Sequence, residues 1–341
     1  MLYLLLYVAF EFTDTLFTSY LFYYILPGES YQHTSTIQYG LLLTWLNLLG
    51  LITTPFLSRR PVLLLPLTAL VVGLLLILHH WYLIALLYVL HIPLMLWYDV
   101  VISLFERYSF VAGLSYAFGF VGAGLVLMNF SQRVFLLTGG LYMLHLLLLF
   151  PIARRPVDLR FRLFPPMGRA EILAFMIMGE LVEVFTFFSY RILKDSFNVS
   201  EDNIRYVMAL ALLSACVSSL ILGYLLDFLK PEVGGLLTSA FLLVLGIAFF
   251  SRVVGPYLLG SLAGVGVALY WVLFRTYLIR SYPNNFSELF FFMFASSYTV
   301  GGFVYSTLYS LTADHRYSVL LMSLALLQPL YTFLAKVRTT R

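Results

Sequence analysis

Two pairs of carboxylates stand where an apolar sequence has least use for them. "EFTD" sets Glu11 and Asp14 three residues apart inside the first long apolar run, and "ELVE" sets Glu180 and Glu183 at the same spacing inside a run of the second half. On a helix, residues i and i+3 share a face, so each pair presents both carboxyls in one direction. Acids placed in this way can bind and release protons, balance a cation, or hold a solute by hydrogen bonds. An acid at the centre of a membrane-spanning helix costs roughly 2.5–3.5 kcal/mol on insertion scales and is functional by default. The competing reading is structural, with the acids bonded to backbone or hydroxyl partners and serving helix contacts. For Glu183 that reading gains weight from Arg191, two turns further along the same helix face and placed to reach back toward it.

The segments that carry these acids read as membrane spans. The 341 residues are 62% hydrophobic and 11% charged, with a mean hydropathy of +0.94, against roughly 25% charged residues in an ordinary soluble domain. The apolar runs are continuous rather than alternating, and backbone polar groups in hydrocarbon must pair internally, so helices are expected and a barrel is not. A net charge of +4 and pI near 9.0 could indicate nucleic acid. The basic residues are instead spread over short connections, as positive-inside bias requires, and no nucleic-acid partner is expected. The one cysteine, Cys216, excludes a disulfide framework, and neither a metal nor a cofactor is expected. The first run lacks a positive n-region and is read as a retained helix rather than a signal peptide.

Punctuation by charges and turn residues gives about twelve spans, at 2–26, 36–57, 62–78, 81–105, 109–129, 133–151, 170–194, 204–229, 233–251, 254–280, 286–311 and 317–336. The longest connection, "ARRPVDLRFRLFPPMGR" (153–169), falls near the midpoint and carries five arginines. It divides the chain into a six-helix bundle at 1–152, a basic linker at 153–169 and a second bundle at 170–341. A cytoplasmic linker puts fourteen of the twenty Lys and Arg residues inside, among them Arg59, Arg60, Arg107, Lys230, Arg275 and Arg280. Both termini are then cytoplasmic, in an integral multi-pass protein expected in the cell membrane.

Three matches in the same order relate the halves: "EFTD" to "ELVE", "FLSRRPVLLL" (56–65) to "FLKPEVGGLL" (228–237), and "SYAFG" (115–119) to "SYTVG" (297–301). With six helices in each, the halves run in the same direction, a parallel repeat about an axis along the membrane normal. The first and seventh helices would then bring the two acid pairs to opposite walls of one central cavity, where four carboxyls share protons as a cluster.

On these residues the chain resembles the major facilitator superfamily of secondary transporters. The sharpest match is "GYLLDFLKPEVGGLL" (223–237), which is similar to that superfamily's Gly-x-x-x-Asp loop, with Gly223 and Asp227 in place. The first-half counterpart, "TTPFLSRRPVLLL" (53–65), keeps Arg59 and Arg60 but has Pro55 where the acid aligns. The resemblance implies a cytoplasmic gate or latch at Gly223, Asp227, Arg59 and Arg60. Helix five, "GLSYAFGFVGAGLVLM" (113–128), is similar to the branch containing fungal vacuolar amino-acid effluxers and their prokaryotic relatives, which implies amino acids as solutes.

The expectation is an all-α integral membrane protein of twelve helices in two pseudo-symmetric bundles, not an enzyme. It would move a small organic solute by alternating access, coupled to protons, with sodium as the alternative ion, and act as a monomer in the lipid bilayer. Glu11, Asp14, Glu180 and Glu183 are the expected proton and substrate sites. Asn47, Tyr270 and Trp271 are candidates to line the cavity. His91 and His145 read as hydrogen-bonded packing more readily than as proton relays. Asp99 and Arg275 are placed for an inner-gate ion pair, and Glu288 for a helix-dipole cap. Competing readings are a multidrug-type proton antiporter, a non-transporting sensor or scaffold, and, with less support, a membrane-embedded lipid enzyme.

Overall fold

A computed structural model describes residues 2–103, 109–154, 167–282 and 285–339, in twelve helical stretches. These are α1 at 2–31 (Leu2–Tyr20, a π-helical turn Leu21–Ile25, and Leu26–Tyr31), α2 Thr36–Leu57, α3 Pro61–Leu78, α4 Trp81–Ser103, α5 Ser109–Met128 and α6 (Gln132–Leu148 with Phe150–Ala153). The second half holds α7 (Arg169–Phe187 with Ser189–Phe197), α8 Glu201–Phe228, α9 Pro231–Phe250, α10 Pro256–Ser281, α11 Phe286–Thr312 and α12 (His315–Leu324 with Leu327–Thr339). Arg107, linker arginines 155, 160 and 162, and the side chains of Asp99, Asp227 and Arg275 lie outside the described residues. Eight of the stretches are long and apolar enough to span a bilayer alone, and α7 joins them when its two segments count as one.

Polarity is distributed inside out. Trp45, Phe56, Leu137 and Phe228 face outward, while Glu11, Asp14, Glu183 and Arg191 are buried. Water would penalise such a surface, and lipid accepts it.

The packing repeats with the helix number raised by six. In the first half α1 packs on α5 and α6, α2 on α4, and α3 on α4 and α6. In the second, α7 packs on α11 and α12, α8 on α10, and α9 on α10 and α12. The halves meet through α2 with α11 and through α5 with α8, two contacts that the same two-fold exchanges. Local features repeat as well. Pro61 and Pro231 open α3 and α9, and His79 and Arg252, just after those helices, both take left-handed backbone.

Close approach at the seams depends on small residues. A Cβ at Gly40 would meet Ser306 and the Gly302 carbonyl across α2 and α11, and one at Gly124 would meet Leu213 and the Ala209 carbonyl across α5 and α8.

Two helices depart from regularity at equivalent places. In α1 the π turn precedes Pro27, which has no N–H to give to the carbonyl one turn back, and the loosened turn absorbs the misfit. This helix runs to Tyr31, past the expected end at residue 26. In α7 the axis bends by 65° at Phe188. Thr186 Oγ1 donates to the Val182 carbonyl and Ser189 Oγ to the Thr186 carbonyl at 2.8 Å, and such back-bonds at a break bend helices.

Candidate functional site

The irregular stretches of α1 and α7 face each other, and below them lies a cavity of about 80 Å³ between the halves. That volume holds a few waters. Glu11 and Asp14 line it from α1, together with His91 and Tyr88 from α4, Phe120 from α5, and Phe187, Trp271 and Phe290 from the second half. Glu11 is 0% exposed and Asp14 2%.

Asp14 Oδ2 and His91 Nε2 share a hydrogen bond of 2.9 Å, and the imidazole meets the Phe22 ring edge-on at 5.2 Å between centroids. Glu11 sits one turn earlier on the same face. Tyr142 from α6 closes the back of the site, stacked on Phe10 at 5.9 Å and tilted on Phe17 at 5.4 Å.

Asn47 stands one layer behind the lining. Its Nδ2 donates to the Leu43 carbonyl at 2.9 Å, and its Oδ1 accepts from Tyr88 Oη at 2.9 Å, so it orients a residue that does line the cavity. Trp271 lines the cavity, whereas Tyr270 turns toward Gly179 and Ser297.

The second acid pair occupies a different place. Glu183 is wholly buried at the junction of α7, α11 and α2, pressed on Gly301, where a Cβ would collide with its Oε2. Glu180 is half-buried beside the same glycine. Neither belongs to the lining that Glu11 and Asp14 share.

Arg191 does not reach back to Glu183. The bend at Phe188 carries it toward the first half, where Nη1 donates to the Thr34 carbonyl at 2.9 Å and Nη2 donates to the Ser30 carbonyl at 3.1 Å and to Thr34 Oγ1 at 2.8 Å. The guanidinium also lies over Tyr39 at 4.7 Å and Tyr31 at 5.2 Å. Four residues on, Asp195 accepts from Tyr31 Oη at 2.7 Å and bonds His315 Nε2 at 3.0 Å, and His315 Nδ1 meets Tyr305 Oη at 2.6 Å. Rings seal the layer beneath, with Tyr23 edge-on to Phe187 and Tyr190 packed on Gly28. The halves are therefore tied together at the face opposite the chain termini, here called the distal face.

At the terminal face, Glu171 of α7 accepts from Tyr277 of α10 and from Tyr282 just past its end, at 2.8 Å each, and pairs with Lys336 of α12. This brace lies within the second half. Arg280 Nη1 donates to the Leu226 carbonyl at 2.7 Å near the end of α8. Gly223 is buried in the same turn region, and Arg59 and Arg60 are exposed in the turn between α2 and α3.

Of the remaining candidates, His145 bonds the Leu141 carbonyl of its own helix at 3.1 Å, in keeping with packing. Glu288 occupies the first turn of α11 as a dipole cap would, but is wholly buried. Among the described residues no three His, Cys, Asp or Glu side chains gather to hold a metal. The Asp14–His91 pair, Arg191 and Asp195 are the polar contacts that sequence reasoning missed. A histidine in an apolar span was the available signal for the first.

Neither a family model nor a curated protein sequence matches the chain. Solved structures do. The human organic anion transporter MFSD10 matches with a TM-score of 0.68 at 12% identity, over 96% of this chain and 97% of that one. A bacterial homologue of the iron transporter ferroportin in an outward-facing state gives 0.64 at 15% identity, over 97% of each chain. The major facilitator superfamily transporter FucP in the outward conformation gives 0.58 at 11% identity, over 98% of each. At these identities the likeness is one of fold, and it covers 96–98% of the chain.

Proposed function

We propose that this chain, whose fold is the major facilitator fold, is a multi-pass membrane transporter that moves a small organic solute by alternating access and couples it to protons on Glu11 and Asp14. The observation that carries the reading is the Asp14–His91 pair at 2.9 Å in a cavity walled by both halves. Transporters of this build place solute and coupling ion near the midplane at the repeat interface.

In this reading 1–152 and 170–341 rock against each other about that cavity, joined by the linker at 153–169. His91 fixes one oxygen of Asp14, and the proton is taken up and released at the Asp14 and Glu11 carboxyls. A charged, unbalanced wall resists closure because closure strips its water, and a neutralised wall closes. Proton occupancy thereby sets when the halves can move. Glu180 and Glu183 form a second proton station, at the α2–α7–α11 seam that must slide. The Arg191 clamp holds the distal face shut, and Gly223, Asp227, Arg59 and Arg60 serve the latch at the other face. Cytoplasmic termini make the distal face extracellular, in the cell membrane, and the protein acts as a monomer. Sodium in place of the proton is the alternative coupling ion.

The test is solute-driven proton movement in proteoliposomes, read by an enclosed pH dye across a panel of amino acids, sugars, organic anions and organic cations. Proton movement with at least one solute, lost in Asp14→Asn and Glu11→Gln, supports the proposal. Solute uptake that moves no protons, or coupling that survives both variants, refutes it.

A further inference from the structure

We infer that the distal clamp carries an acid-sensitive latch, the line Tyr31–Asp195–His315–Tyr305, which holds that face shut while His315 is neutral and releases it when acid on the distal side protonates the imidazole. This rests on the alternating-access reading above and adds a control on the gate that is separate from the cavity acids.

Four side chains on four helices form one continuous hydrogen-bonded line. Tyr31 of α1 donates to Asp195 of α7 at 2.7 Å, Asp195 meets His315 Nε2 of α12 at 3.0 Å, and His315 Nδ1 meets Tyr305 Oη of α11 at 2.6 Å. Of these links only the first joins the two halves, so it is the one that opening breaks. The inner end is dry, with the His315 side chain 3% exposed and Tyr305 0%. The Asp195 side chain, 31% exposed, sits where distal water arrives.

A neutral imidazole satisfies this line completely. Its Nε2–H donates to the Asp195 carboxylate, its Nδ1 accepts from the Tyr305 hydroxyl, and Arg191, one turn before Asp195 on α7, balances the single negative charge. A second proton on the ring upsets both arrangements. Nδ1–H then donates, so Tyr305 must accept, and its own hydroxyl hydrogen, whose one bond was to that nitrogen, is left buried without an acceptor. The layer also gains a positive charge that no second carboxylate in the line offsets. Separating the halves admits water, which takes the hydroxyl hydrogen and solvates the imidazolium, so the protonated latch favours the open face.

The surrounding groups leave His315 as the sensor. Next to it on α12, Asp314 is already paired with Arg316 at 2.8 Å. Tyr309 of α11 lies with its ring 4.5 Å from the imidazole, and α7 supplies Arg191 and Asp195. From the first half, α1 presents Tyr31, and α2 presents Tyr39, whose ring lies under Arg191 and packs at 5.3 Å on Phe188, itself 4.4 Å from Tyr305. His33, at the tip of α1, is exposed to water and meets none of this cost. Histidine is the side-chain type that gains charge between about pH 8 and 5, and His315 is the histidine buried in this layer.

Distal opening is read in the full chain in proteoliposomes. With Cys216→Ala and Ser19→Cys as background, an impermeant thiol reagent is applied on the distal side at about pH 8 and about pH 5.5. Each rate is divided by the rate of the same protein carrying His315→Gln, whose amide still donates to Asp195 and takes no proton, so that the thiol's own titration cancels. The latch predicts a ratio that rises about fivefold or more in acid. The rise should be smaller in Tyr305→Phe, which has no hydroxyl to strand, and should persist in Asp14→Asn. Should His315→Gln fail to fold, Tyr31→Phe, which removes the tie and keeps the histidine, is the reference, and the ratio must climb toward one in acid. The latch is ruled out if the ratio is the same at both pH values, if it falls in acid, if Tyr305→Phe shows the full rise, or if Asp14→Asn abolishes it. Proton-coupled transport that needs Asp14, with no acid effect on labelling, removes the latch and leaves the transporter reading standing. An acid effect lost in His315→Gln, in a protein whose solute moves no protons, does the reverse.

Discussion

Asp14 and His91, 77 positions apart in the chain, meet at 2.9 Å across α1 and α4, with the carboxylate 3% and the imidazole 14% exposed. The contact binds the helix that carries the acids to one that packs on both α2 and α3. The pair thus ties α1 to the α2–α3–α4 packing of the first half.

The first prediction concerns what that contact contributes. His91→Ala removes the donor and leaves a buried carboxylate oxygen unsatisfied, a loss of about 1–3 kcal/mol. Thermal unfolding in detergent should show a lower midpoint for His91→Ala, and a smaller further drop when Asp14→Asn is added than Asp14→Asn causes alone. Strictly additive losses would mean the two side chains are not coupled.

The second concerns the distal clamp. Arg191→Ala removes three charge-assisted hydrogen bonds to residues 30 and 34, and losing even one such bond shifts a two-state balance by roughly tenfold. With Cys216→Ala and Ser19→Cys as background, an impermeant thiol reagent applied at the distal face should label the cavity cysteine about tenfold faster once Arg191 is gone. Equal labelling rates would show that the clamp does not hold that face closed.

A third prediction contrasts two glycines. A Cβ at Gly264 would run into the Ala211 backbone carbonyl, which cannot turn aside, so α8 and α10 must separate. Gly264→Ala should cost about 1–3 kcal/mol. Gly140, in α6, has nothing within 4 Å of a Cβ, and Gly140→Ala should be neutral or stabilising by about 0.5–1 kcal/mol. Paired melting curves of the two variants decide the point.

The helices were legible because lipid imposes their length and loop charges mark their ends. The third span was expected at 62–78 and runs Pro61–Leu78; the eleventh was expected at 286–311 and runs Phe286–Thr312. The repeat was legible because "EFTD" and "ELVE" kept their order with two other matches. The direction of Arg191 was not legible. The apolar run gives no sign of the 65° bend at Phe188 that sends the guanidinium to Thr34, which goes with the hydroxyl back-bonds of Thr186 and Ser189. Nor was the partner of His91, because one apolar helix says which face a histidine occupies but not which helix that face meets. Equivalence by sequence also did not bring the acid pairs into one cavity. Gly301 lets Glu183 sink into the α7–α11 seam, while Thr15 on α1 packs at the corresponding glycine of α5, Gly119.

The central claim, that the α1 acids carry the coupled proton, is tested most directly by separating exchange from proton-driven accumulation in proteoliposomes with one transported solute. The account predicts that Asp14→Asn still exchanges labelled for unlabelled solute across the membrane, since the neutral wall closes around it, but neither accumulates solute along a proton gradient nor moves protons. Accumulation that survives Asp14→Asn and Glu11→Gln, with normal proton movement, would contradict it.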